Sequence, residues 1–349
     1  MFLPSFFIRN TKSNYNVITQ KTKTKKSFST LPETSSNNNV ITNSVFQKKS
    51  IYYKEMQQTK TYSNYKVITS YTLCYYIVLT SIITASIANA ASSFSEPTIL
   101  SPIAQGALIY GKAEVGTKVF YQDTQLPLTP TGEFIFALPK LAPKEIKLDF
   151  SNNNDKFSKT YNVIERTWKE EIVNGLPPKK VSPPLEDLKR IKDENQLLKN
   201  ARNSSTYDYF PLCFIRPVDK KARISSEFGS ARVLNNTKTA GHSGTDYALP
   251  TGSPIYAPAD GIVKVTHPDM FYSGKTILID HGYGIFSSYS HLSEISVTQG
   301  SIVKQGELIG KIGTTGRSTG PHLHLTLTWF GVRVDPEYTL QTHACNTKK

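Results

Sequence analysis

Four histidines and one aspartate in the last third of the chain form the group most able to do chemistry. His242 and Asp246 stand in Gly-His-Ser-Gly-Thr-Asp, His291 in Ser-Tyr-Ser-His-Leu-Ser, and His322 and His324 in Ser-Thr-Gly-Pro-His-Leu-His-Leu. The chain has seven histidines, and four of them fall in these three segments. Two neutral imidazoles and a carboxylate make a three-ligand zinc set that leaves a fourth position open for water. Zinc lowers the pKa of such a water from about 15.7 to about 7. Two further histidines beside the metal can move protons. The residue types therefore point to a metallohydrolase.

Spacing indicates the elements that must carry these groups. His322 and His324 are two apart and lead into Leu325 to Trp329, which reads as a strand. Residues i and i+2 share a strand face, so both rings can face one site. His242 and Asp246 are four apart, but Gly241 and Gly244 argue against a helix between them. In extended chain the even spacing still keeps the two on one side. His324 follows Asp246 by 78 residues, so tertiary structure must close the site.

These segments resemble the lysostaphin/LytM-type zinc endopeptidases of bacterial cell walls. The family pattern, His-x-x-x-Asp, Tyr-x-His-Leu-Ser and Thr-Gly-Pro-His-x-His, occurs here in order. Phe228-Gly229 with Arg232 and Asn235, Pro254 to Gly261, and Gly313 to Gly316 match as flanking marks. The likeness runs from about Arg216 to about Leu340, and the ending WFGVRVDPEYTL resembles envelope members from Gram-negative bacteria. It implies His242, Asp246 and His324 as ligands of one Zn2+, and His322 and His291 as the catalytic pair. It also implies a folded antiparallel β-sheet, like a duplicated hybrid motif, and peptidoglycan stem peptides as substrate. The D-alanyl–diaminopimelate bond is then the expected target. Which histidine serves which step is left open. His281 is expected in a turn or supporting the site rather than binding metal. His267 and His343 are expected in solvent, and Arg232 either lines the cleft or makes a structural ion pair.

The net charge of +14 is uneven. Residues 1–90 hold eleven Lys/Arg against two Asp/Glu, whereas the remainder holds thirty against twenty-five. The basic excess thus belongs mainly to the leader, and no nucleic-acid motif accompanies it. Residues 1–55 read as a low-complexity extension. From Met56, a basic stretch, the uncharged run at 75–91 and Ala88-Asn89-Ala90 read as a signal peptide over 56–90, with an uncleaved anchor helix as the alternative. Export to the periplasm follows, with membrane contact only through an uncleaved leader.

The rest of the chain is expected to be mainly β. Five short runs within 97–165 (108–110, 118–122, 133–138, 146–150 and 159–164) predict a small immunoglobulin-like sandwich. Residues 166–210 read as a Pro-rich linker followed by a helix from about Pro184 to Arg202. Ser182 is expected to cap that helix, and Leu185, Leu188, Ile191 and Leu198 to pack on a neighbouring domain. The peptidase domain is placed at 211–343. Cys213 and Cys345 bracket it and could bridge its ends in an oxidising compartment, although the sequence does not fix their separation. Two other functions compete with the enzyme. One is a non-catalytic regulator that activates a wall amidase or meets division proteins, against which the complete ligand set argues. The other is a phosphocarrier, against which the leader and Asp246 argue.

Overall fold

Ile146, Leu148 and Phe150 point inward and Lys147 outward, as their alternation requires. The computed structural model describes residues 95–152 and 155–345; the expected extension at 1–55 and signal peptide at 56–90 lie outside the described residues. Among the described residues, no helix is long and apolar enough to cross a membrane. The first strands are β1 (Thr98–Ile99), β2 (Leu108–Lys112), β3 (Lys118–Tyr121), β4 (Thr124–Gln125), β5 (Glu133–Ala137), β6 (Glu145–Ser151) and β7 (Lys156–Asn162). They form two antiparallel sheets, ordered β1-β2-β5 and β4-β3-β6-β7. The five expected strands are β2, β3, β5, β6 and β7; β1 and β4 are too short to leave a periodic signal. Val119, Phe134, Phe136, Leu148 and Phe150 are buried between the sheets. Burying each such side chain contributes about 1.5–3 kcal/mol.

The linker differs from its expectation. Glu170–Val173 is a strand, β8, followed by a short helix α1 (Pro178–Val181) and the long helix α2 (Leu185–Arg202). Ser182 terminates α1 rather than capping α2; Pro184 precedes α2 without a side-chain cap. The apolar stripe of α2 is only half used. Leu198, with Ala201, packs on Val265, Met270, Leu278 and Phe286, whereas Leu185 and Leu188 are exposed. Arg190 and Glu194 add polar links to Asp269 and Phe271.

The C-terminal strands are β9 (Arg223–Ser226), β10 (Ala231–Leu234), β11 (Thr237–Thr239), β12 (Thr245–Ala248), β13 (Pro254–Tyr256), β14 (Gly261–Met270), β15 (Gly274–Asp280), β16 (Ile285–Ile295), β17 (Ile302–Val303), β18 (Leu308–Ile312), β19 (His322–Trp329) and β20 (Val332–Val334). A large antiparallel sheet runs β17-β14-β15-β16-β19-β12-β9, with β13, β18 and β20 paired beside it. A smaller sheet, β11-β10-β8, joins the linker to the hairpin before the first motif. Tyr247, Ile277, Tyr289, Leu323 and Leu325 are buried in the core beneath the large sheet. Helix α3 (Pro336–Thr342) closes the domain, its N-terminus capped by Asp335.

The sandwich and the large sheet share one core, because Phe214, Ile285, Leu327, Trp329 and Val334 pack in the same cluster as the sandwich residues. Arg166 lies over the rings of Trp168 and Tyr338 and pairs with Asp335 at 2.7 Å. His343, expected in solvent, is instead buried against Tyr110 and within 3.1 Å of the Leu108 carbonyl. A sequence window around His343 contains nothing of Tyr110, which is 233 positions away. Burial pushes the His343 pKa below its ordinary value. The unfolded chain therefore takes up this proton near pH 6.5 while the folded chain resists it, so stability falls with pH below that point. Buried His281, His291 and His324 share this direction. Melting curves between pH 8 and 5 should show the fall, and His343→Gln should make it shallower by up to about 1.4 kcal/mol per pH unit. An unchanged slope would mean that His343 contributes nothing to it.

Candidate metal centre

The alternation of β19 puts Leu323, Leu325 and Leu327 into the core and His322 and His324 on the opposite face. On one side β12 sets Asp246 directly across from His324; on the other, β16 sets Ser290 across from His324 and brings His291 next to it. His242 enters from the loop before β12. That loop lies close to β19: a Cβ on Gly244 would stand 2.0 Å from the Leu325 carbonyl oxygen. Gly244→Ala should therefore push the β12 loop off β19 and destabilise the fold by about 1–3 kcal/mol. A lower melting temperature with reduced bound metal would show this, and wild-type values for both would refute it.

His291 has a φ of +66°, in the left-handed region that non-glycine residues seldom occupy. The pairing of β15 with β16 shifts register between Lys275 and Ile277, opposite this residue. The conformation is held by the His291 N–H donating to Ser273 O at 2.7 Å and by its Nδ1 at 2.8 Å from Thr315 O. Such backbone strain costs about 1–3 kcal/mol and collects at functional sites.

Three donor atoms converge. His324 Nδ1 lies 2.7 Å from Asp246 Oδ1 and 3.0 Å from His242 Nε2, and His242 Nε2 lies 3.1 Å from Asp246 Oδ1. His322 Nε2 is 3.9 Å from the same carboxylate oxygen. The His291 ring centroid is 4.7 Å from that of His322 and 6.0 Å from that of His324. The structure thus brings all five expected residues together. His281 stays apart, fully buried between Asp260 O and the Ser287 hydroxyl.

Hydrogen bonds set the tautomers. A backbone carbonyl can only accept, so Nδ1 carries the proton in His242 (2.9 Å to Glu227 O), His291 (2.8 Å to Thr315 O) and His322 (2.8 Å to Gly320 O). Each of these rings therefore turns an Nε2 lone pair inward. In His324 it is Nδ1 that faces the cluster, because Nε2 lies 3.0 Å from the Thr326 hydroxyl. His242 Nε2 and Asp246 Oδ1 are then two acceptors in contact with no proton of their own to share, an arrangement that a cation resolves. Burial lowers the His324 pKa to about 4, and burial with the neighbouring His322 and His324 lowers that of His291 to about 3. Burial opposes ionisation of Asp246, but His324 and His242 outweigh it and hold the carboxyl well below its usual range. Asp246 is thus a carboxylate beside two rings, His324 and His291, that resist protonation, as a metal requires of its surroundings. Arg232, left between two roles by the sequence, pairs with Asp246 Oδ2 at 2.8 Å.

Residues 240–336 match the model of peptidase family M23. A solved Pseudomonas aeruginosa structure assigned to peptidase M23 aligns with 69% of this chain and 96% of its own, at 30% identity and a TM-score of 0.54. The chain belongs to peptidase family M23. Among curated M23-like relatives, the peptidoglycan DD-endopeptidase ShyA of Vibrio cholerae is 48% identical over 114 residues, which is 32% of this chain and 26% of the relative. The DD-carboxypeptidase/endopeptidase Mpg of Neisseria meningitidis is 43% identical over 116 residues, 33% of this chain and 26% of its own length. The match thus spans about a quarter of each of these relatives.

Proposed function

We propose that the protein is a zinc endopeptidase that hydrolyses peptide cross-links of peptidoglycan at the D-alanyl–diaminopimelate bond. The convergence of the His242, Asp246 and His324 donors beside the two inward-facing Nε2 atoms of His291 and His322 carries this reading. The names of the V. cholerae and N. meningitidis relatives support the substrate class. His242, Asp246 and His324 would hold the zinc, which supplies Lewis acidity and an activated water at neutral pH. His322 Nε2 has a free lone pair at the rim of the cluster and can accept a proton from a water there. His291 Nε2, anchored from behind by Thr315 O, can then hold or deliver a proton on the other side of the scissile amide. A cell-wall substrate places the protein in the envelope, reached through the leader at 56–90.

The deciding experiment is digestion of diaminopimelate-type peptidoglycan by the wild type, His242→Ala and His322→Ala, with the released muropeptides identified by mass spectrometry. Conversion of cross-linked dimers to monomers by the wild type alone supports the reading. No cleavage by any of the three, with zinc stoichiometrically bound, favours the amidase-activating regulator instead.

A further inference from the structure

Strand β8 brings a carboxylate to the back of the metal-ligand cluster from outside the family match. Glu171 pairs in parallel register with Arg232. Its carboxylate accepts from the Ser226 hydroxyl at 2.5 Å, the Ser230 hydroxyl at 2.9 Å and the Glu227 N–H at 3.3 Å, and lies 3.6 Å from Arg232 Nε. Ser226 Oγ is in turn 2.9 Å from His242 Nδ1 and 2.6 Å from Arg232 Nη2. Arg232 Nη2 also donates to Asp246 Oδ2 at 2.8 Å.

The donors and acceptors leave one direction for this chain. A guanidinium only donates, a carboxylate only accepts, and a serine hydroxyl has one proton to give. Ser226 therefore gives its proton to Glu171 and accepts from Arg232 and from the His242 Nδ1–H, which it shares with Glu227 O. The line His242 to Ser226 to Glu171 is a histidine backed by a carboxylate through one hydroxyl, and such backing orients the ring and raises its basicity toward a metal. Glu171 has a second effect. Its charge offsets Arg232, which would otherwise pair with Asp246 alone and draw electron density from that ligand. Exposed Glu170, one residue earlier, pairs in register with Ala231 instead.

We infer that Glu171 is a positioning residue of the metal centre, so that the interdomain linker is part of the site and sets its zinc affinity. This deepens the zinc-enzyme reading and rests on it. The test is zinc affinity of the full chain, measured by competition with a chromogenic chelator, together with the visible spectrum of the cobalt-substituted protein. Glu171→Gln should bind zinc about 10–100-fold more weakly and alter the cobalt bands. Glu170→Gln should match the wild type in both. Ser226→Ala breaks the same line while leaving every residue of β8 in place, and covers the case in which Glu171→Gln fails to fold. The double variant should be no weaker than the poorer single one, because both act through one chain of bonds. Wild-type zinc affinity and cobalt spectrum in Glu171→Gln, or fully additive losses in the double variant, would overturn the inference while leaving the zinc reading intact. A wild type that binds no zinc would overturn both.

Discussion

His291→Asn should lower turnover of cross-linked peptidoglycan by about 10²–10⁴-fold while leaving bound zinc at wild-type level. Asparagine is chosen because it tolerates the left-handed backbone at this position, where φ is +66°, and has no basic ring nitrogen. The imidazole of His291 lies outside the converging donor set, since its outer nitrogen is fixed by Thr315 O and its ring leans, tilted by 48°, against His322. Removing it should delete proton handling without deleting a ligand. His242→Ala should instead lose zinc and activity together, because two donors in place of three leave Asp246 and His324 facing each other without support. Kinetics and metal analysis on the same preparations separate the two classes. Near-normal turnover in His291→Asn would remove that residue from the reaction.

The second large effect is expected at the bridge between Cys213 and Cys345, whose Cα atoms are 4.8 Å apart and 132 positions distant in sequence. Closing so long a loop restricts the unfolded chain, and loss of such a bridge typically costs about 2–5 kcal/mol. For a folded unit of this size that corresponds to about 5–15 °C in melting temperature. The bridge also fastens His343 to Cys345 beside Phe214, through Phe214 N to His343 O at 2.8 Å and Cys345 N to Phe214 O at 3.1 Å. Because His343 and Phe214 both pack toward the sandwich, the double Cys213→Ser, Cys345→Ser variant should loosen the joint between sandwich and sheet first. Amide exchange at Leu108 to Tyr110 would report this, and unchanged exchange with an unchanged melting temperature would show the bridge to be dispensable.

The motif half of the site was legible because its spacing survives folding: His322 and His324 share a face by the two-residue period of a strand, wherever that strand lies. The same is true of Ile146, Leu148 and Phe150. What stayed hidden depends on partners far along the chain. Glu171 stands in a charged stretch that reads as linker, and it becomes a strand residue only by pairing with Arg232, 61 positions later. Its own side chains, half exposed in alternation, offer little to drive a strand alone. Ser182 looked like a cap because Glu186 and Asp187 follow it, but Pro183 and Pro184 intervene, and the helix begins after them. Where the sequence left the cysteines open, the fold brings them together by a parallel bridge between Phe214 and Ala344.

The pairing of β8 with β10 limits how portable the catalytic segment is. All five motif residues lie beyond residue 211, and a shuffled gene carrying only that part would keep every one of them. It would also leave β10 with β11 alone, a two-stranded ribbon of marginal stability. The backbone N–H and C=O groups that β8 now satisfies would form an open edge, inviting a strand from another molecule. The unit that can be moved between proteins with β10 still paired on both sides therefore begins at about residue 166, well before its first recognisable motif.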